Sequence, residues 1–247
     1  MSKKLLPVSL LVALCCVGVF SCRKANNSTV DATRNYFPIV FGKYVTYDVD
    51  SIYYYQSTCS KYEVKSQLKY AITDTFTNSK RQLSYIMNVS WRPYDGGVWI
   101  PASVITITPY TSPTGSGILY NQDNAQYIKL TFPVTDGYSW LGNKNVDVSN
   151  PVLSYLANWN YQYKNYHLSY NNGIVNFDNT VTVLENDESV NYPNFDSGVA
   201  AYRTYAKEVY AYNVGMIYKE WTHWTYLPSS PQCVEGYTVI MRAIEYN

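Results

Sequence analysis

Charge and histidine are both scarce. Lys, Arg, Asp and Glu make up 15% of the 247 residues, against roughly 25% in an average domain. The two histidines, His167 and His223, stand far apart, and neither has a second ligand at a metal-binding spacing. No metal and no cofactor is expected. A G-x-S-x-G elbow is missing, which leaves a serine hydrolase triad without its anchor. Asp48 with Asp50, and the run Glu185, Asp187 and Glu188, supply carboxylates that read as solvated turns rather than a glycosidase pair. The net charge of +1 becomes −1 once the leader with Lys3 and Lys4 is removed. That is the wrong balance for a nucleic-acid binder, whose footprint is a basic excess.

A membrane-spanning helix is missing too, since the one long apolar run, Leu5 to Phe20, falls short of the roughly 20 residues a span needs. Behind Lys3 and Lys4 and ahead of Ser21-Cys22 it reads as an export signal, residues 1–21. The small residue before Cys22 resembles the bacterial lipoprotein signal, in which that cysteine is lipidated and becomes the mature amino terminus. Cys15 and Cys16 follow Leu14 and Cys15 and make poor cleavage sites. Acyl chains on Cys22 would anchor the chain at a membrane, since each buried methylene contributes about 0.8 kcal/mol. Residues 22–35 read as a flexible tether and residues 36–247 as one domain. Two cysteines remain, Cys59 and Cys233, in a compartment where disulfides persist. They are a candidate bond that would bring the first and last strands together.

What the chain has in quantity is tyrosine: 28, against 7 Phe and 6 Trp. Val45, Tyr47, Val49, Tyr53 and Tyr55 alternate with Tyr44, Thr46, Asp48 and Asp50. The same period of two runs through Tyr62 to Phe76 and Leu83 to Trp91, so each stretch predicts a strand with one aromatic and one polar face. Further strands are predicted at Val98–Thr108, Ala125–Val134, Tyr161–Tyr170, Ile174–Leu184, Met216–Tyr226 and Tyr237–Tyr246. Ser112 to Gly117 reads as a wide, mobile loop. The fold class is mainly β: a single antiparallel sheet curled into a half-barrel or barrel. One helix is predicted near residues 198–211, where Val199, Tyr202, Ala206, Val209 and Tyr210 fall on one helical face behind Asp196 or Ser197 as cap.

Three stretches carry a resemblance: YFPIVFGKYVTYDVDSIYY at the start of the domain, LTFPVTDGYSWLGN at 130–143, and YAYNVGMIYKEWTHW at 210–224. Together they are similar to a group of poorly characterised Bacteroidetes cell-envelope lipoproteins. The resemblance implies an envelope lipoprotein with a curled antiparallel sheet, and it brings no catalytic residues with it. RKANN after Cys22 lacks an acidic cluster, so the periplasmic face of the outer membrane is the expected location.

These readings favour a non-catalytic binding or assembly module. Tyrosine stripes offer flat apolar area with a hydroxyl handle, suited to a glycan, peptide or lipid-like ligand. The candidate ligand-binding residues are Tyr202, Tyr210, Trp221 and His223, in a pocket between sheet and helix. The alternative is an envelope hydrolase with an unrecognised active site, which would bring His223 together with Glu220 or another carboxylate.

Overall fold

A computed structural model describes residues 32–113, 115–228 and 233–247. The expected signal peptide, Cys22 and the first part of the expected tether lie outside the described residues.

Twelve strands form one antiparallel sheet. In chain order they are β1 (Tyr44–Tyr55), β2 (Ser60–Thr77), β3 (Leu83–Pro93), β4 (Ile100–Ser112), β5 (Gly115–Gln122) and β6 (Ala125–Phe132), followed by β7 (Ser139–Leu141), β8 (Asn160–Asn171), β9 (Asn176–Val190), β10 (Ala201–Ala211), β11 (Gly215–Tyr226) and β12 (Val234–Tyr246). The spatial order is β6-β5-β4-β3-β2-β1-β12-β11-β10-β9-β8-β7. Two six-stranded meanders are thus joined along β1 and β12, the first and last strands of the chain, which pair from Val45 opposite Tyr246 to Tyr54 opposite Gly236. The free edges, β6 and β7, are consecutive in sequence.

The sheet curls until these two edges face each other, so the barrel is nearly closed and its seam lies at the chain's midpoint. Individual hydrogen bonds, not a strand ladder, cross the seam. The Ile128 amide donates to the Gly142 carbonyl at 2.8 Å. Trp140 Nε1 donates to the Ile128 carbonyl at 2.8 Å, and the Tyr163 hydroxyl donates to the Thr131 carbonyl while accepting from its amide. Side chains therefore satisfy edge groups that a neighbouring strand would otherwise take. Trp140 packs on Tyr161 and Tyr163 behind this closure.

The core fills the lumen with Ile72, Met87, Val89, Ile105, Ile107, Ile118, Leu130, Tyr161, Tyr163, Val181, Val183 and Tyr210 among others. Both ends are partly covered by chain. At one end the segment before β1 crosses over: a 3₁₀ turn at Ala32–Tyr36 buries the Tyr36 ring, and its hydroxyl donates to Asn179 Oδ1. Asn35 already accepts from the Asn213 amide at 2.8 Å, so the folded part includes residues ahead of Tyr36. At the other end, near Cys59 and Cys233, a second 3₁₀ turn at Pro151–Leu156 lies across the lumen, capped by the Asn150 side chain, with Leu156 buried.

The expected helix at residues 198–211 is not there: the segment is β10, paired with β9 on one side and β11 on the other. Two facts hid it. From Glu208 to Ala211 every residue is buried, which erases the alternation of a strand. Asp196 accepts from the Gly198 amide at 2.9 Å, so the supposed cap closes a turn instead. The pocket between sheet and helix disappears with the helix. The wide loop at Ser112–Gly117 is likewise a tight hairpin, with Ser112 opposite Gly115. In β2 a bulge at Thr73, between Ile72 and Asp74, shifts the register against β3; near the start of β3 Leu83 is exposed and Ser84 is buried, sharing a hydrogen bond with Thr108.

Candidate functional site

Register decides which side chains share the inner face. On β10 Lys129 of distant β6 reaches Glu208 through the lumen, so Tyr202, Thr204, Ala206, Glu208 and Tyr210 point inward. Following the pairing from Thr204 gives one continuous row over six strands: Glu188, Thr204, His223, Tyr237, Tyr53 and Tyr62. This row forms the mouth of the barrel at the end of Cys59 and Cys233.

The two halves of the row differ in cover. His223 is stacked under Tyr155 of the 3₁₀ turn, ring centroids 4.2 Å apart, and shares a hydrogen bond with Thr204 at 2.9 Å through Nδ1. Tyr155 and Tyr237 share a hydroxyl hydrogen bond of 3.1 Å, and Trp159 packs on Trp221 one row deeper, at 5.3 Å. Burial lowers the His223 pKa, which keeps the imidazole neutral at neutral pH. Beyond Tyr237 nothing in the described structure lies over the row. Tyr53 is 40% exposed and Tyr62 60% exposed, with Tyr55 and Trp91 also open to solvent. Tyr53 and Tyr62 are direct cross-strand partners, so two phenol rings stand side by side on an open inner wall.

Of the four residues expected to bind ligand, three meet here. Trp221 and His223 line the covered half, and Tyr202 sits at the rim, its hydroxyl donating to Glu188 at 2.6 Å. Tyr210 does not join them. It lies deep in the barrel, its hydroxyl donating to Glu208, and burial followed by that carboxylate pushes its pKa far up. Glu220 is on the outer face, accepting from Tyr218 and paired with Lys207. It therefore cannot serve His223 as a hydrolase would require. Tyr53 and Tyr62 were visible as part of the tyrosine alternation, but only the β1–β12 pairing reveals that they continue the row of His223.

A second cluster went unnoticed in the sequence. Lys129 Nζ donates to Glu185 Oε1 at 2.9 Å and to Glu208 Oε1 at 2.7 Å, with Lys219 donating to the same Glu208 oxygen at 3.0 Å. Two strand irregularities build it. Ile118 pairs with Leu130 and Leu119 with Ile128, which leaves Lys129 as the extra residue of a bulge; Ala206 pairs with Asn186 and Lys207 with Leu184, which leaves Glu185 as another. A bulge re-aims its extra side chain, and here both turn into the lumen. Glu185 is thus fully buried, not part of a solvated turn. Burial raises its pKa, with Glu208 adding to the effect. Burial would raise Glu208 as well, yet Lys129 and Lys219 hold its carboxyl down to about 2. For Lys129 burial opposes the charge, and the two carboxylates outweigh it to raise the pKa. The sequence signal was a lysine inside the apolar run Tyr127-Ile128-Lys129-Leu130, where one charge breaks an otherwise buried strand.

At the opposite end from the mouth, a cavity of about 60 Å³ lies beneath Phe37 and Pro38, walled by Tyr47, Tyr70 and Met216 and reaching Lys129 and Glu208. Asp48 accepts from Gln67 and Asp50 pairs with Arg242, both within strand ladders. His167 shares a hydrogen bond with Asn179 at 2.7 Å, away from His223. Among the described residues no group of His, Cys, Asp and Glu is placed to hold a metal ion.

No protein-family model and no curated protein matches the sequence. Two solved structures are similar over 85% of this chain and 98% of their own. One is a protein of Bacteroides fragilis described as exported, with a YmcC-like fold, 11% identical with a TM-score of 0.38. The other is described as a lipoprotein of Parabacteroides distasonis, 12% identical with a TM-score of 0.25.

Proposed function

We propose that the chain is a lipoprotein of the bacterial cell envelope, held through Cys22 at the periplasmic face of the outer membrane, whose tyrosine-lined mouth binds glycan. The observation that carries the ligand class is the uncovered pair Tyr53 and Tyr62 beside Tyr237. Flat rings with hydroxyl edges suit the apolar face and equatorial hydroxyls of a sugar, and Glu188, Tyr202 and Thr204 extend the row with polar groups. Beneath Phe37 and Pro38 a lipid-like ligand fits less well. The cavity of about 60 Å³ at the other end is far below the roughly 300 Å³ at which pockets begin to enclose a ligand. A catalytic role gains no support, because His223 is engaged by Thr204, Tyr155 and Tyr237.

Calorimetric titration of the protein with envelope and dietary oligosaccharides tests the ligand. Tyr62→Ala should weaken binding about tenfold or more while leaving the melting temperature within about 2 °C, because an exposed side chain contributes little to the fold. Equal affinity in the variant, or no glycan bound by the wild type, overturns the reading. Cys22→Ala tests the anchor: the variant should leave the membrane fraction. Retention there without an acyl chain on the wild type would refute lipidation.

A further inference from the structure

We propose that Lys129 and Glu185 become joined by an intramolecular amide bond, formed once per chain after folding and closing the barrel covalently across its seam. The three participants are already in place. Lys129, Glu185 and Glu208 are 5%, 0% and 1% exposed, and Lys129 Nζ lies within hydrogen-bond distance of both carboxyl groups. The carboxyl groups are not equivalent. Glu208 uses both oxygens, accepting from Lys129 and Lys219 on one and from Tyr210 on the other. Glu185 Oε2 is buried without a hydrogen-bond partner, a costly arrangement for a polar atom that the reaction would remove. The Tyr120 and Tyr127 rings flank Lys129 Nζ at 5.6 and 5.7 Å and keep the surroundings apolar.

The atoms balance without any outside reagent. Glu185 enters as the neutral acid, the form that burial favours. The Lys129 ammonium passes one proton to the Glu208 carboxylate, and the freed amine attacks the Glu185 carboxyl carbon. The new bond is Nζ–Cδ and the broken bond is Cδ–OH. A second proton leaves the nitrogen for the departing hydroxyl, by way of Glu208, and water is released. Lys129 ends as an amide nitrogen with one hydrogen, and Glu208 keeps the first proton. An ammonium and a carboxylate have become two neutral groups, which relieves the cost of holding charge in the lumen. The proton transfer to Glu208 is uphill, since both carboxylates favour the ammonium. A single event over the life of the chain tolerates a slow step that repeated turnover would not.

Peptide mass spectrometry of the full chain purified from membranes tests the bond. A branched tryptic species should join the peptide through Lys129 to the peptide containing Glu185, lighter than their sum by one water, and cleavage after Lys129 should be lost. Lys129→Met should abolish the branched species. Recovery of both peptides separately and unmodified from folded wild-type protein overturns the proposal. A water loss that maps instead to Lys129–Glu208, or to the Asp95–Gly96 or Asp136–Gly137 step, overturns it equally.

Discussion

Val209 is fully buried on β10 and belongs to the cluster of Val45, Val49, Ile217 and Met241. A carboxylate there would have no partner, so Val209→Asp should destabilise the protein by about 3–5 kcal/mol, read as a lower denaturant midpoint. An unchanged midpoint would place the side chain at the surface. His223 makes a pH-dependent contribution whose sign follows from burial. Its pKa is lowered from 6.5 in the fold, so the unfolded chain binds the proton more readily. The stability tied to the neutral imidazole is complete above the unfolded pKa and is lost as the pH falls below it. As a free carboxyl, before any bond to Lys129, Glu185 titrates with the opposite sense, since a raised carboxyl favours the fold at low pH and loses that contribution as the pH rises. Comparing the wild type with His223→Phe from about pH 7.5 to about pH 5.5 separates the two: the variant should lose less melting temperature on acidification, and equal slopes would refute the assignment.

Among the strands, the seam is where the sheet is thinnest. β7 has three residues and pairs only with β8, so the closure rests on Gly142 and on hydrogen bonds from side chains. A Cβ at Gly142 would come within 2.4 Å of the Tyr161 ring, which is fully buried and has no room to swing. Gly142→Ala should therefore destabilise by about 1–3 kcal/mol, and hydrogen exchange should speed most at the Ile128 amide that crosses the seam. Uniform exchange would show that the edges do not depend on this contact. The sequence revealed most strands where one face is wet, as in Tyr44 to Tyr55, because period-two alternation survives there. It failed on β10, where both faces are buried from Glu208 to Ala211, and on β5, whose Gly115 and Gly117 look like loop. The aromatic half of the mouth was legible as tyrosines. Its assembly was not, because Tyr53 and His223 are neighbours only through β12. The Lys129 cluster was hidden for a different reason: a bulge breaks the very period from which facing is read.

Over the whole molecule, Cys59 and Cys233 are bonded, with Cα atoms 5.3 Å apart and a sequence separation of 174. The bond stands at the end of the β1–β12 pairing, in the middle of the sheet rather than at the seam, so it reports that the first and last strands meet without being what closes the barrel. A loop of that length restricts the unfolded chain strongly, and replacing both cysteines with serine should cost roughly 2–5 kcal/mol, seen as a lower melting temperature that added reductant does not change further. Equal melting of reduced and oxidised wild type would deny the bond a stabilising role. The pairing of the two ends has a consequence for birth rather than for stability. On the proposed export route the chain crosses a membrane amino terminus first and delivers β1 early and β12 last, so the central pairing of the finished sheet is the final one available. Until then β1 waits with one flank unpaired and each meander must hold its own strands together. The protein should accordingly behave as two separately nucleating halves: a chain cut within the β6–β7 connection, at residues 133–138, should reassemble from its pieces, whereas a stalled chain lacking only its last strand should expose β1 to any strand that passes.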